Sequence, residues 1–259
     1  NFGKAKVILS VGADFLGTWV SPVEFSADYS TNRKVSKEKA EMSRHIQIES
    51  MPSITGYKAD TRISVKPSEE LSSLVDILNV VTGAGAAKNA KVAKAAEELK
   101  SAGAGNALVV CGVNSADAQV IVNAINNALG SYGSTITWDR PYNTKQGSDK
   151  SIVQLAEGLN NGSVKAVLFL DSNPAYSSPV KGLAEAIKKA ELSVSFANRA
   201  DETALLCKYV CPDNHWLESW NDLEPKAGVY NTVQPTISKL FDTRPVQETL
   251  LKWSGKTGS

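Results

Sequence analysis

The 259-residue chain is 42% hydrophobic and 21% charged, with 28 Lys and Arg against 27 Asp and Glu. That composition describes a folded protein with room for one large core or two modest ones, and excludes a disordered chain. A formal net charge of +1 offers no basic surplus to nucleic acid. No apolar run approaches the roughly 20 residues of a membrane-spanning helix.

The chain opens on Asn1 and reaches a strand-like run, Val7-Ile8-Leu9-Ser10-Val11, almost at once. It reads as a piece of a longer polypeptide. Gly12-Ala13-Asp14 forms an elbow after that run. Ser21-Pro22-Val23-Glu24 is a helix start, with proline at the first helical position. Arg44 to Glu49 alternates, with Ile46 and Ile48 on one face of a strand, and Thr61 to Val65 reads as another. Leu71 to Val81 has helical character. The small-residue stretch Thr82 to Ala87 is the expected boundary between a partial first α/β lobe, 1–82, and a second lobe, 83–259.

Beyond it, Val92, Ala95, Ala96 and Leu99 mark a helix, and Ala107 to Cys111 a strand ending in Gly112-Val113-Asn114. Ala118, Ile121, Val122, Ile125 and Leu129 mark the next helix, closed by Gly130. Ser151 opens another that stops at Asn161-Gly162. A third strand, Val167 to Leu170, ends in Asp171-Ser172-Asn173-Pro174. Ser178-Pro179 starts the following helix, and Leu192 to Phe196 is a further strand. The runs 7–11, 107–111 and 167–170 lack alternation and are expected to be buried on both faces, as in a parallel sheet. From about 84 to 200 the order is most of a doubly wound domain. The segment from Pro212 reads as long ordered loops ending in a short helix near Val246 to Trp253.

Candidate chemistry is sparse. The three elbows sit where open α/β sheets bind ligands, although any strand-to-helix turn favours such residues. Gly83-Ala84-Gly85-Ala86-Ala87-Lys88 resembles a dinucleotide fingerprint without its third glycine or a preceding strand, and reads as a linker. Cys207, Cys211 and His215 stand at steps of four, but Pro212 interrupts the helix they would need, so no metal site is expected. Glu218 and Asp222 form no defined acid pair. Three cysteines describe no disulfide framework. With His45 and His215 as the only histidines and no P-loop or nucleophile elbow, no catalytic residue is assigned.

Five stretches taken together are family-like: VGADFLGTWVSPVEFSADY, ADTRISVKPSEE, VLFLDSNPAYSSP, DETALLCKYVCPDNHWLESWND and GVYNTVQPTISKLFDTRP. The chain resembles the molybdopterin oxidoreductase superfamily from about Lys6 to Leu250. It is most similar to the molybdopterin-oxidoreductase-like part of the iron–sulfur subunit of bacterial alternative complex III, a quinol-oxidising respiratory assembly. The resemblance implies an α/β fold of two Rossmann-like lobes with mainly parallel sheets, of the dimethyl sulfoxide reductase and formate dehydrogenase kind. It implies a cofactor, molybdopterin guanine dinucleotide, gripped by strand-end elbows. Gly12, Asp14, Ser172 and Asn173 match that grip in vestigial or weak form. The family usually carries glycine where Ser172 stands, and commonly also at Asp171.

The expectation is therefore a non-catalytic structural module with no cofactor of its own, the iron–sulfur clusters lying elsewhere in the parent. Its partners would be other subunits of a membrane respiratory complex, with no nucleic acid and no membrane span of its own. It would sit on the periplasmic side of the bacterial inner membrane. The alternatives are the molybdopterin guanine dinucleotide-binding portion of an active oxidoreductase, and a two-lobed small-molecule binding protein. Trp216, Trp220 and Trp253 are the expected packing or partner aromatics.

Overall fold

The computed structural model describes residues 1–144 and 147–256. Two compact units meet in the sequence between Arg140 and Pro141.

In the first unit, β1 (Val7–Val11) is buried along its whole length. Helix α1 (Pro22–Thr31) starts at its proline, as expected from Ser21-Pro22. Strand β2 (Arg44–Glu49) leads to the short α2 (Ile54–Lys58), where the Ser53 hydroxyl accepts from the Gly56 amide. Strand β3 (Thr61–Ser64) is followed by α3 (Glu70–Thr82), which ends on Gly83 in the left-handed region. Helix α4 (Ala90–Ser101), β4 (Ala107–Cys111) and α5 (Ala116–Ala128) complete the unit, with Ser115 capping α5. All neighbours in the sheet are parallel, in the order β3-β2-β1-β4.

Leu9, Val11, Ile46, Ile48 and Val109 pack with Leu74 and Ile77 of α3, Leu99 of α4 and Ile125 of α5. Each such fully buried aliphatic side chain contributes roughly 1.5–3 kcal/mol. The opposite side of β2 meets an aromatic group. Phe15 stacks on Phe2 with ring centroids 4.2 Å apart, and His45 lies 5.2 Å from Phe15 and 5.5 Å from Tyr29 of α1.

The boundary expected at 82–83 falls inside this unit. The small-residue stretch there is a helix turn: Gly83 caps α3, and the Lys88 amide donates to Asp76 Oδ2 at 2.9 Å. Strand β4 pairs with β1, filling the edge that β2 leaves open. The doubly wound run expected over 84–200 is thus divided between two sheets.

The second unit begins with α6 (Asp149–Asn161), two residues before the expected start at Ser151. Strand β5 (Ala166–Phe169) runs into the single-turn α7 (Pro174–Ser177), and α8 (Leu183–Lys189) starts after Gly182 rather than at Pro179. Strands β6 (Leu192–Ser195) and β7 (Tyr209–Val210) join β5 in a parallel sheet of order β5-β6-β7. Val167 and Phe169 pack on Leu159 of α6 and Leu183 and Ile187 of α8. Strand β5 is buried on this face only; Leu168 on the other is 44% exposed, against the expectation of two covered faces.

Strands β8 (Asn221–Lys226) and β9 (Val229–Val233) form an antiparallel hairpin in the stretch expected to be loops. Helix α9 (Val246–Trp253) ends the described structure where a helix was expected. Among the described residues no helix is long and apolar enough to cross a membrane.

Candidate functional site: the strand-end elbows

In both units the first strand ends in an elbow held by the same set of hydrogen bonds. After β1 the backbone turns at Gly12, with φ +61°, and two residues later Asp14 Oδ1 accepts from the Thr55 amide (3.0 Å) and hydroxyl (2.7 Å). The Thr55 hydroxyl in turn accepts from the Leu16 amide at 2.9 Å. After β5 the backbone turns at Asp171, with φ +44°. Two residues later Asn173 Oδ1 accepts from the Thr203 amide (3.1 Å) and hydroxyl (2.8 Å), and the Thr203 hydroxyl accepts from the Ala175 amide at 3.0 Å. Both threonines are fully buried.

The Asp14 carbonyl accepts from the amides of Gly17 and Thr18, and the Asn173 carbonyl from those of Tyr176 and Ser177. Strand register repeats as well. Leu9 pairs with Ile46, which pairs with Thr61; Leu168 pairs with Val194, which pairs with Tyr209. Thus Gly12 corresponds to Asp171, Asp14 to Asn173 and Thr55 to Thr203.

Of the four expected site residues, Gly12 and Asp14 lie in the first unit and Ser172 and Asn173 in the second. The side chains of Asp14 and Asn173 are turned into the protein as elbow anchors. Asn173 also donates to Glu202 Oε2 at 2.7 Å, a bond that holds the Glu202 carboxyl below its usual range. Ser172 is exposed. Residues not anticipated from sequence are Thr55 and Thr203, whose signal was their equal spacing from the paired strand residues Ile46 and Val194.

The surroundings differ. Beside Gly12 stands Gly112, at the end of β4, where the backbones approach too closely for any Cβ. Close by, the Glu70 carboxylate would lie 3.7 Å from a Cβ built on Gly12, and its Oε1 accepts from the Ser50 amide at 3.2 Å. In the second unit a cavity of about 650 Å³ opens at the ends of β5 and β6, lined among others by Asp171, Asn198, Arg199, Asp201, Asp213 and Trp216. Asp201 caps the Ala204 amide at 2.8 Å and Asp213 accepts from the Val246 amide at 3.0 Å.

The implied dinucleotide carries a diphosphate, and carboxylates occupy the approach to both elbows. A negative charge about 4 Å from a carboxylate is opposed by roughly 4 kcal/mol at an effective dielectric near 20. Among the described residues Arg199 is the one lysine or arginine lining the second unit's cavity. The residues present do not fit a diphosphate at either elbow.

Other candidates resolve into structural roles. His215 Nδ1 accepts from the Leu217 amide, and Glu218 returns to the His215 amide, so both cap one 3-10 turn, Trp216–Glu218. Cys111, Cys207 and Cys211 are free thiols, and burial raises the pKa of Cys111 and Cys207. Among the described residues no group of three metal-ligating side chains exists.

No protein-family model matches the chain. It is 33% identical over 99 residues to the menaquinone reductase, molybdopterin-binding-like subunit of Nitratidesulfovibrio vulgaris; the match covers 36% of this chain and 14% of that protein. The fold is similar to acetylene hydratase from Pelobacter acetylenicus, with a TM-score of 0.63 at 12% identity over 98% of this chain and 47% of that one. It is also similar to a chain of the formyltransferase/hydrolase complex from Methylorubrum extorquens, with a TM-score of 0.56 at 12% identity over 98% and 77% of the two chains. The parallel sheets, their strand-end elbows and these likenesses together give the chain an α/β fold of the molybdopterin oxidoreductase type.

Proposed function

We propose that this chain is a non-catalytic structural and interaction module of a molybdopterin-oxidoreductase-like iron–sulfur subunit, acting within a respiratory electron-transfer complex of the alternative complex III kind. The observation that carries the reading is the placement of carboxylates, Glu70 and Asp171, at the two elbows where a phosphate-bearing cofactor would approach. The partial likeness to a subunit of a menaquinone reductase supports a place among other subunits. The proposed location is the periplasmic side of the bacterial inner membrane, with iron–sulfur clusters carried elsewhere in the parent.

On this reading the partner surface includes Trp216, beside the strand ends of the second unit, and Trp220, which are 66% and 65% exposed. Buried aromatic anchors dominate protein interfaces. The test is assembly. The double variant Trp216→Ala, Trp220→Ala, made in the parent and purified from its native membrane, is expected to lose most of its co-purifying subunits while the parent itself stays folded. Full recovery of the complex would count against the module reading.

A second reading, the cofactor-binding portion of an active oxidoreductase, is favoured by the retained positive φ at both Gly12 and Asp171. Non-glycine residues held at positive φ, as Asp171 is, cluster at functional sites. Molybdenum and pterin in the parent would establish it.

A further inference from the structure

The repeat between the units extends to the sheets themselves. Leu9 and Val11 of β1 correspond in register to Leu168 and Leu170, and Ile46 and Ile48 of β2 to Val194 and Phe196. In the first unit all four belong to one cluster with α3, α4 and α5, and β4 pairs with the far side of β1. In the second, Val194 and Phe196 pack with Val246 of α9, but no strand among the described residues takes the place of β4. Strand β5 is left at the edge of its sheet. Leu168 and Leu170, whose counterparts are fully buried, are 44% and 50% exposed. The Lys165 and Phe169 carbonyls accept from the Leu192 and Phe196 amides on the β6 side, so Ala166, Leu168 and Leu170 turn amide and carbonyl to the open edge. The first-unit counterpart of Leu170, Val11, is engaged there: its carbonyl accepts from the Gly112 amide at 2.9 Å. An open edge is usually guarded by charge, proline or a bulge, and β5, Ala-Val-Leu-Phe in regular register, has none of these.

We propose that the open edge of β5 is a docking site for a further segment of the same parent polypeptide: an apolar strand added parallel to β5, as β4 is added to β1, with a helix that covers Leu168 and Leu170. All-parallel sheets are almost always covered on both faces, and this one is not. The first unit fixes the direction of the added strand and draws it from its own chain. A parallel neighbour arrives by a long crossover, not a tight turn, so it can lie far away in sequence. This chain covers 47% of acetylene hydratase, so a polypeptide of this fold has further segments from which the strand can come. Main-chain hydrogen bonds at Ala166, Leu168 and Leu170 would set its register, and the two leucines would seat its helix. The inference rests on the module reading only for the premise of a longer parent, and involves neither elbow.

The test uses the full-length parent, wild type, in residue-resolved hydrogen exchange. The Val167 and Phe169 amides face β6 and are protected in either case, which checks that the sheet is formed. The Ala166 and Leu168 amides report the open edge. They are expected to exchange roughly a hundredfold or more slower than in unstructured chain. A second measurement identifies the occupant: Leu168 is replaced in the parent by p-benzoylphenylalanine, the protein is irradiated, and the cross-linked peptide is sequenced. The expected cross-link joins position 168 to a segment of the same polypeptide outside residues 1–259. Free exchange at Ala166 and Leu168 beside protected Val167 and Phe169 overturns the proposal. So does a cross-link to a separate subunit, to a second copy of the chain, or to residues within 1–259. Molybdenum content of the parent is a separate readout: its presence would sink the module reading and leave this inference standing.

Discussion

Gly112 lies so close to Gly12 that a methyl group on it would overlap the Gly12 carbonyl and stand 2.9 Å from Ala13 Cα. Two strand ends, β1 and β4, are thereby locked backbone to backbone at the point where the strand order of the sheet reverses. In open α/β sheets that point is the ligand crevice. Here the Glu70 carboxylate stands beside Gly12 at that point.

This contact predicts unequal costs for two similar substitutions. Gly112→Ala pushes on backbone that cannot yield, and should destabilise the chain by about 3 kcal/mol, the upper range for overpacking. Gly12→Ala meets nothing nearer than 3.7 Å, and should cost only about 1 kcal/mol for its positive φ. Urea titration of both variants reads the difference, and equal costs would contradict the close approach.

The matched clasps predict matched responses. Thr55→Val and Thr203→Val each remove a buried hydroxyl that donates to one partner and accepts from another, for a loss of roughly 1–3 kcal/mol. Each should also free one specific amide, Leu16 or Ala175 respectively, to exchange with solvent. Serine at either position restores the hydroxyl and should restore protection. Hydrogen exchange with residue resolution distinguishes this pattern from general loosening.

Val20 is a β-branched residue at φ +53°, just before the cap of α1. Such a residue is rarely found there, and the strain is of order 1–3 kcal/mol. Val20→Gly gains that relief and loses about 1 kcal/mol to the greater freedom of glycine when unfolded. The expected net effect is a stabilisation of about 1 kcal/mol, seen as a rise in melting temperature. A fall would mean that the Val20 side chain contributes packing that outweighs its strain.

His45 gives the chain an acid-sensitive core. It is fully buried, its Nδ1 lies 3.1 Å from the Tyr29 hydroxyl, and among the described residues its Nε2 and the nearby Gln47 Oε1 have no hydrogen-bond partner. Burial pushes the imidazole down to about 4, against weaker upward pulls from Gln47, Asp60 and Glu49. The folded pKa is depressed, so the unfolded chain takes up the proton first. Stability is full above pH 6.5 and falls as pH drops toward 4, by about 3 kcal/mol in total. Burial raises Asp60, but Arg33 and the His45 amide hold it net below its usual value, so its own loss comes only at still lower pH. Urea titrations at pH 7.5, 5.5 and 4.5 should show the slope in wild type and a reduced slope in His45→Gln.

Much of the fold was legible because parallel strands and amphipathic helices announce themselves locally. Buried runs such as Val7 to Val11 and helices such as Ala116 to Ala128 follow directly from periodicity. The division into units was not legible, because whether β4 joins β1 or β5 is a pairing across some hundred residues that no local pattern encodes. The hairpin of β8 and β9 escaped because its strands are largely exposed, carry Pro225 and do not alternate. The elbows were found as turns. Their anchors were not, since Asp14 meets Thr55 from 41 positions away and Asn173 meets Thr203 from 30. Only the paired-strand register reveals that these are the same contact.

The most direct test of the central claim is the composition of the full-length parent purified from its native membrane, counted as molybdenum and iron per chain together with released pterin. The account predicts iron without molybdenum or pterin. Molybdenum near one per chain with matching pterin would contradict it, and would make the Gly12 and Asp171 elbows a working cofactor grip.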